Sequence, residues 1–204
     1  MKFNELFDLI DNSEYTKSGA DVDWTIKVID DTVYLLFQET TNKIDWKTNF
    51  KFWVKPYKHQ KNPMLLHAGF VNAWKSCNDL IMGELIQVMN FNKGKKLIIS
   101  GWSHGAALTI LAAEDYHYRT GERPVVINYG APSIIAPLAF RTKKYLSECM
   151  DYRLFSDVND LVTKIPPFYM SLKRTKLDKF VFGGIFHPNI YHCIYNKEEL
   201  YKEQ

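Results

Sequence analysis

The chain has 204 residues, a length that suits one domain with one sizeable hydrophobic core. Hydrophobic residues make up 46% and charged residues 24%, an ordinary balance for a globular protein. The net charge of +3 at pH 7 is too small to indicate nucleic-acid binding. We therefore expect residues 1–204 to form a single domain that has no nucleic-acid partner.

The N-terminal segment carries acidic residues among its apolar ones, which is not typical of a signal peptide. No apolar run approaches the length of a transmembrane helix. The three cysteines form no spaced pair typical of a metal site, and their odd number disfavours a disulfide framework. We expect a soluble, cytoplasmic protein that uses neither a metal nor an organic cofactor.

The spacing of apolar residues predicts the first elements in chain order. Helical periodicity predicts a helix over residues 3–10. Two apolar runs around an Asp-Asp turn then predict a hairpin, with strands near residues 24–28 and 33–37. Apolar positions over residues 70–91 predict one long amphipathic helix that ends at the Asn-Lys-Gly of residues 92–94.

The second half of the chain continues this alternation of strands and helices. A strand before residue 101 precedes a helix over residues 104–119, and strands are predicted at residues 124–129 and 152–155. Such alternation is typical of a mostly parallel sheet with helices on both faces. The sequence therefore predicts a three-layer α/β/α sandwich.

Residues 101–105 read Gly-Trp-Ser-His-Gly, between an apolar run and a run of small residues. This is the pattern of a nucleophile elbow, a sharp strand-to-helix turn that presents a serine. Glycine two residues either side of Ser103 avoids collisions with the neighbouring strand and helix. The turn also directs the backbone N–H of His104 toward the reacting centre, as half of an oxyanion hole.

A serine nucleophile requires a histidine base that is oriented by a carboxylate. After such an elbow, the chain order is serine, acid, histidine. Asp160 is the favoured acid because it follows a predicted strand, and Asp157 is the alternative. Of the two later histidines, His192 is favoured over His187, which directly precedes a proline.

Five ordered blocks spread over roughly residues 24–195 carry more information than the elbow alone. They are residues 33–40 with Asp45-Trp46, His67-Ala68-Gly69-Phe70, the elbow, Tyr129-Gly130-Ala131-Pro132, and Asn159-Asp160-Leu161-Val162 with Ile165-Pro166-Pro167. With a terminal Tyr191-His192, they resemble the blocks of the class 3 lipases, the fungal triacylglycerol-lipase type of α/β-hydrolase.

The resemblance implies an α/β-hydrolase fold and the hydrolysis of carboxylic esters, with lipid esters as the leading substrate class. It implies that Ser103 is the nucleophile, Asp160 the orienting acid and His192 the base. It also implies that Thr40 is the second oxyanion donor, opposite the His104 N–H. Transfer of the acyl group to an acceptor other than water would use the same residues.

The sequence departs from the family beside the predicted oxyanion hole. Glu39 stands where the family usually has glycine, and Gln38 where it often has arginine. A carboxylate there would repel the developing negative charge unless it points away. The alternative function is therefore a catalytically weak or inactive lipase-fold protein that binds lipid or a protein partner.

Residues between Trp46 and His67 occupy the place where family members carry a lid. Aromatic residues there predict either a hydrophobic flap over the pocket or a packed strand edge. Phe52 and Trp53 in this segment, and Trp102 beside the nucleophile, are candidate substrate contacts.

Other polar residues have structural interpretations. His67 is expected to make a hydrogen bond at the start of the long helix, and the His104 side chain is expected to pack rather than react. Basic residues in two groups are interpreted as solvated surface, with contact to an anionic lipid surface as the alternative. These residues are Lys93, Lys95, Lys96, Lys173, Arg174, Lys176 and Lys179.

Overall fold

A computed structural model describes residues 1–17, 22–38, 53–57, 63–177 and 195–201. Within these ranges, a seven-stranded sheet has the strand order β1-β2-β3-β6-β7-β8-β9. The strands are β1 (Thr16–Lys17), β2 (Asp23–Ile29), β3 (Thr32–Phe37), β4 (Val54–Tyr57), β5 (Met64–His67), β6 (Lys96–Trp102), β7 (Val125–Tyr129), β8 (Asp151–Asp157) and β9 (Thr175–Leu177). The helices are α1 (Phe3–Asp11), α2 (Ala68–Lys75), α3 (Asn78–Phe91), α4 (Ser103–Thr120) and α5 (Phe140–Cys149), with 3-10 helices at Val162–Lys164 and Glu198–Tyr201.

The central sheet is antiparallel at one edge and parallel elsewhere. Strands β1, β2 and β3 pair antiparallel, and the β2–β3 turn places Asp30 at a φ of 49°, in the left-handed region. From β3 through β6, β7 and β8 to β9, every pair is parallel. The predicted hairpin and the mostly parallel sheet are thus confirmed.

Helices cover both faces of the sheet, as predicted, although unequally. On one face, α2 to α5 bury the larger core, which includes Leu35, Ile99 and Val126. On the other face, α1 and the C-terminal 3-10 helix cover a smaller, aromatic-rich core around Tyr129 and Phe155. Neighbouring strand residues point to opposite faces, which explains how one strand serves both cores.

The prediction of one long helix over residues 70–91 is wrong in one respect, because the structure has two helices there. Helix α2 ends at Lys75 and α3 begins at Asn78. The Ser76 hydroxyl donates to the Ala73 carbonyl, and Cys77 has a non-helical φ of −137°. Side-chain bonds to the helix backbone compete with helical hydrogen bonds, so this Ser-Cys step separates two segments whose apolar faces read as continuous.

Several short elements were not predicted from the sequence. A two-stranded antiparallel sheet, β4–β5, lies beside the central sheet. Its last strand is extended by isolated bridges from Leu66 to Ile135 and from Ile135 to Met170. Residues 54–57 thus form a paired strand, and Tyr57 is buried with its hydroxyl accepting from Trp74 Nε1 at 3.1 Å. Strand β4 agrees with the strand-edge interpretation for residues 54–57, although Val54 is exposed.

Candidate active site

The predicted elbow is present at the end of β6. Strand β6 ends at Trp102, and α4 begins at Ser103. Ser103 has a φ of 56°, a left-handed conformation that non-glycine residues rarely adopt. Strain of this kind is kept only where the surrounding structure imposes it, and here it turns the chain from the strand into the helix at the serine.

The two glycines of the elbow are required by space. A Cβ atom added at Gly105 would lie 2.6 Å from the carbonyl oxygens of Phe37 and Gln38, at the end of β3. A Cβ atom added at Gly101 would lie 2.8 Å from the carbonyl carbon of Gly105. The first turn of α4 therefore packs directly on the backbone of β6 and of its neighbour β3.

Ser103 is fully buried, and its hydroxyl has no hydrogen-bond partner among the described residues. Burying a hydroxyl without a partner costs free energy, so such a group is unusual outside a functional site. The amides in the first turn of a helix also have no partner within the helix. His104 directly follows Ser103, so its backbone N–H is one of these first-turn amides.

Asp160 lies three residues beyond the end of β8 and is fully buried. Its Oδ1 accepts from the Val162 N–H at 2.9 Å, and its Oδ2 accepts from the Tyr195 hydroxyl at 2.5 Å. The carboxyl ends of parallel strands lie along one edge of a sheet, and β6 and β8 both adjoin β7. The fold therefore brings Ser103 and Asp160 to the same edge.

Tyr195 is a functional candidate that the sequence analysis missed. Its side chain is fully buried, and burial together with the negative charge of Asp160 raises its pKa well above the usual value. The tyrosine therefore stays protonated, and its O–H donates a hydrogen bond to the carboxylate. Its oxygen also accepts from the Asp157 N–H at 3.2 Å, which joins the end of β8 to the same hydroxyl. No motif in the sequence indicated this contact.

Asp157, the alternative acid, is also buried at the end of β8. Its Oδ1 accepts from the Asn159 N–H at 2.7 Å, and burial raises the pKa of its carboxyl. That bond closes a turn of the Asx type within its own loop. Asp157 thus has a structural role in its own loop, and the choice of Asp160 over Asp157 as the acid stays a prediction.

Several predicted site residues lie outside the described residues. These are the oxyanion donor Thr40, the base His192, the alternative base His187, the substrate contact Phe52 and Glu39. Their roles stay predictions.

Three other predicted site residues are described. The imidazole of His104 packs against the Phe70 ring, with centroids 5.2 Å apart, in agreement with the packing role expected for it. The Trp102 ring meets Phe7 of α1 edge-on at 5.4 Å, so it contacts the smaller core. Trp53 is 70% exposed, and its carbonyl accepts from the Ala68 N–H.

His67 has the structural role predicted for it. It is the N-cap of α2, and its Nδ1 accepts from the Gly69 N–H at 3.2 Å. The ring is buried between Phe70 and Tyr169, with centroids 5.1 and 5.5 Å away, and burial lowers its pKa. A neutral imidazole is the form that can accept this bond.

Arg174 does not fit its interpretation as solvated surface. It is only partly exposed, and its guanidinium donates to the carbonyls of Ala131 and Thr163 and to Ser133 Oγ. Arg174 stands between Lys173 and Lys176 in the sequence, and a run of basic residues does not by itself show which side chain turns inward.

Within the described residues, no grouping of three or more His, Cys, Asp or Glu side chains could hold a metal ion. In the same part of the chain, none of the helices combines the length and hydropathy needed to cross a bilayer.

The three-layer fold and the strained serine elbow define an α/β-hydrolase. The family model described as "Lipase (class 3)" matches residues 34–170, and this chain therefore belongs to the class 3 lipases. The expectation drawn from the five sequence blocks is confirmed.

Relatives and solved structures agree with this assignment. A chloroplastic galactolipase of Arabidopsis thaliana named DONGLE is 26% identical over 180 residues, which cover 76% of this chain and 36% of that protein. The secreted mono- and diacylglycerol lipase A of Penicillium cyclopium is 33% identical over 103 residues, or 50% of this chain and 32% of that protein. The chain thus spans about a third of the length of these relatives.

The fold is shared with fungal lipases of known structure. The Rhizomucor miehei lipase in its propeptide complex matches with a TM-score of 0.70 and 20% identity, over 80% of this chain and 55% of that one. A mutant of the Penicillium cyclopium lipase matches with a TM-score of 0.70 and 25% identity, over 80% and 62%. Because the relatives above are named as chloroplastic or secreted, they give no support to the expected cytoplasmic location.

Proposed function

We propose that this chain is a serine hydrolase that cleaves carboxylic esters through an acyl-enzyme, with lipid esters as its substrate class. The observation that carries the proposal is the elbow, where Ser103 is strained, buried and without a hydrogen-bond partner among the described residues. Membership of the class 3 lipases supports a lipid ester as substrate, and the named relatives include a galactolipase and a mono- and diacylglycerol lipase.

In the proposed reaction, Ser103 Oγ attacks the ester carbonyl while His192 takes its proton and then delivers it to the leaving alcohol. Asp160 orients the imidazole and stabilises its positive charge. His192 precedes Tyr195 by three residues, a stretch of chain that spans at most about 11 Å. Since the Tyr195 hydroxyl contacts Asp160, this short tether supports His192 over the more distant His187.

The proposed oxyanion hole consists of the backbone N–H groups of His104 and Thr40. Thr40 follows Gln38 by two residues, and the Gln38 carbonyl lies against the elbow at Gly105. One such donor typically lowers the barrier by about 2.7–4 kcal/mol. Water then attacks the acyl-enzyme, with His192 as the base, and releases the carboxylic acid.

The rival function is a lipase-fold protein that binds lipid or a protein partner without turnover. Glu39 favours it, because a carboxylate next to Thr40 opposes the negative charge of the oxyanion. If Glu39 limits the rate, Glu39→Gly will raise kcat with little change in KM. If the rival function holds, neither form will turn over an ester.

The exposed Trp53 is the proposed contact for the acyl chain or for a lipid surface. Trp53→Ala is then expected to raise KM for long-chain esters more than for acetate, because burial of apolar area grows with chain length. An equal effect on all chain lengths would remove Trp53 from the acyl site.

The proposed function is tested with p-nitrophenyl esters from acetate to palmitate, comparing wild type with Ser103→Ala. We expect turnover in the wild type, its loss in Ser103→Ala, and labelling by a fluorophosphonate that mass spectrometry maps to Ser103. Ser147→Ala is the matched control, since this partly exposed serine on α5 bonds only to the Lys144 carbonyl among the described contacts. Wild-type protein that neither turns over esters nor reacts at Ser103 would overturn the proposal.

A further inference from the structure

Arg174 joins two loops that leave the sheet at its catalytic edge. Its Nη2 donates to the Ala131 carbonyl at 2.9 Å and to Ser133 Oγ at 3.2 Å, both in the loop after β7. Its Nη1 donates to the Thr163 carbonyl, in the loop after β8. A guanidinium suits this place because its planar, divergent donors can serve several acceptors at once.

The second of these loops carries Asp160. The Thr163 hydroxyl donates to the Asp160 carbonyl at 2.8 Å. Thr163 therefore bonds both to the Arg174 guanidinium and to the backbone of Asp160. The Ser133 N–H donates to the Ile165 carbonyl at 2.8 Å, which closes the same two loops from the other side. Movement of the Arg174 head would therefore displace the acid's loop.

The charge of Arg174 also acts on this site. Among the described residues, its guanidinium bonds to neutral carbonyl and hydroxyl oxygens and forms no ion pair. Burial lowers its pKa, whereas the negative charge of Asp160 acts in the opposite direction. An arginine nevertheless stays protonated in proteins, so this partly buried guanidinium is a cation that interacts with the charge of Asp160.

Asp157, Tyr195 and Arg174 act on or are affected by Asp160, and Lys164 acts on Asp157. Arg174 is the cation of this set that is bonded into the acid's own loop.

We propose that Arg174 is a positioning residue for the hydrolytic reaction, which holds the loop of Asp160 in place and compensates the buried negative charge of that carboxylate. This role rests on the proposed function, because it presumes that Asp160 orients a catalytic imidazole. The role has two separable parts, the hydrogen bonds of the guanidinium and its charge.

Loss of the charge has a predictable sign in the pH profile. Without the cation, the positive charge on the proposed base is less repelled, so the base keeps its proton to higher pH. This change moves the acid limb of kcat/KM to higher pH, by about half a pH unit or more. A residue with only a structural role would lower the amount of folded protein without moving this limb.

The experiment measures kcat, KM and the pH profile on p-nitrophenyl butyrate for wild type, Arg174→Gln, Arg174→Met and Arg174→Lys. Arg174→Gln and Arg174→Met remove the charge, while Arg174→Lys keeps it and loses the fork of donors. Arg174→Gln keeps an amide donor and serves if Arg174→Met does not fold. Arg123→Gln is the control, because Arg123 bonds Asp151 and the Met150 carbonyl at the opposite end of β8.

We expect the two neutral variants to lose about tenfold or more in kcat, with KM within about twofold and the acid limb shifted upward. Arg174→Lys should restore the position of the limb while recovering only part of kcat, and Arg123→Gln should match wild type. If the acid limb of kcat/KM lies at the same pH in wild type, Arg174→Gln and Arg174→Lys, this proposal is overturned while the proposed hydrolase function stands. A wild type without Ser103-dependent turnover would overturn the proposed function itself, and this role with it.

Discussion

At the scale of single residues, the elbow depends on the absence of two side chains. Gly105 has carbonyl oxygens of Phe37 and Gln38 where its Cβ would be, and backbone atoms cannot rotate away as a flexible side chain can. The local geometry of Ser103 is therefore tied to β3 as well as to its own strand.

Gly105→Ala is expected to lower the free energy of unfolding by about 1–3 kcal/mol or more, because the methyl group must push β3 and α4 apart. Gly83→Ala is the matched control, since Gly83 lies in α3 with open space around its Cβ position. There the same change should be neutral or stabilise by about 0.5–1 kcal/mol. Urea unfolding of both variants makes the comparison, and equal midpoints would contradict it.

Tyr195 makes the direct hydrogen bond to the acid, and its removal isolates that bond. Tyr195→Phe keeps the ring and deletes the hydroxyl, so we expect kcat to fall about tenfold or more, as for a bond to a charged group. Tyr129→Phe is the control, because Tyr129 lies in the same core and its hydroxyl donates to the Phe3 carbonyl instead. An unchanged kcat in Tyr195→Phe would remove this tyrosine from the site.

At the scale of elements, α1 supports the sheet edge that carries the serine elbow, from the smaller face of the sheet. Phe7 of this helix contacts the rings of Trp102, Tyr129 and Tyr195, with centroids 5.2 to 6.0 Å apart. One helix thus packs on the residue before Ser103 and on the tyrosine that bonds Asp160.

Phe7→Ala is therefore expected to cost about 3–5 kcal/mol of stability, as for other buried phenylalanines. Phe91→Ala is the control, since Phe91 at the end of α3 is 81% exposed and its loss should change stability by less than about 0.5 kcal/mol. Thermal unfolding followed by circular dichroism compares the two. A small effect of Phe7→Ala would show that α1 packs loosely.

At the scale of the whole molecule, a buried acid links stability to pH. Glu114 on α4 is fully buried, and its Oε1 accepts from the Tyr145 hydroxyl at 3.0 Å. Burial raises its pKa to about 8, and the neighbouring charge of Asp115 acts in the same direction. Asp115 itself is paired with Arg119.

The sign of this linkage follows from where the proton resides. Below about pH 4.5, Glu114 is protonated in both the folded and the unfolded chain, and its contribution is fully present. Between that pH and about 8, the unfolded chain releases the proton while the folded protein keeps it, so stability falls as pH rises.

Glu114→Gln removes this titration, because the amide is neutral at every pH. The difference in unfolding free energy between wild type and Glu114→Gln should therefore change with pH, approaching about 1.4 kcal/mol per unit between pH 5 and 8 in favour of the variant. Urea unfolding at several pH values measures it, and contributions of the other groups cancel in the difference. A difference that is constant with pH would contradict a raised pKa at Glu114.

Much of the fold and part of the site were predictable from local sequence pattern. The elbow was recognisable because its glycines, its serine and the flanking apolar runs lie within a dozen residues, and each is demanded by a local steric rule. The first hairpin was predictable for the same reason, since alternation and a turn specify it without distant contacts. Asp160 was predicted to be the acid from chain order and family resemblance, and the structure gives its carboxylate two hydrogen-bond donors.

Only the tertiary structure decided which polar side chains bond to Asp160 and to its loop. Tyr195 lies 35 residues after Asp160, and Arg174 serves loops after two different strands, so no local pattern relates them to the site. The same limit applies to α2 and α3, whose apolar faces read as one helix until Ser76 and Cys77 bond to the preceding turn. By itself, the sequence determined the serine elbow and the layered fold, because those follow from spacing along the chain. The partners of Asp160 depend on which loops meet in space.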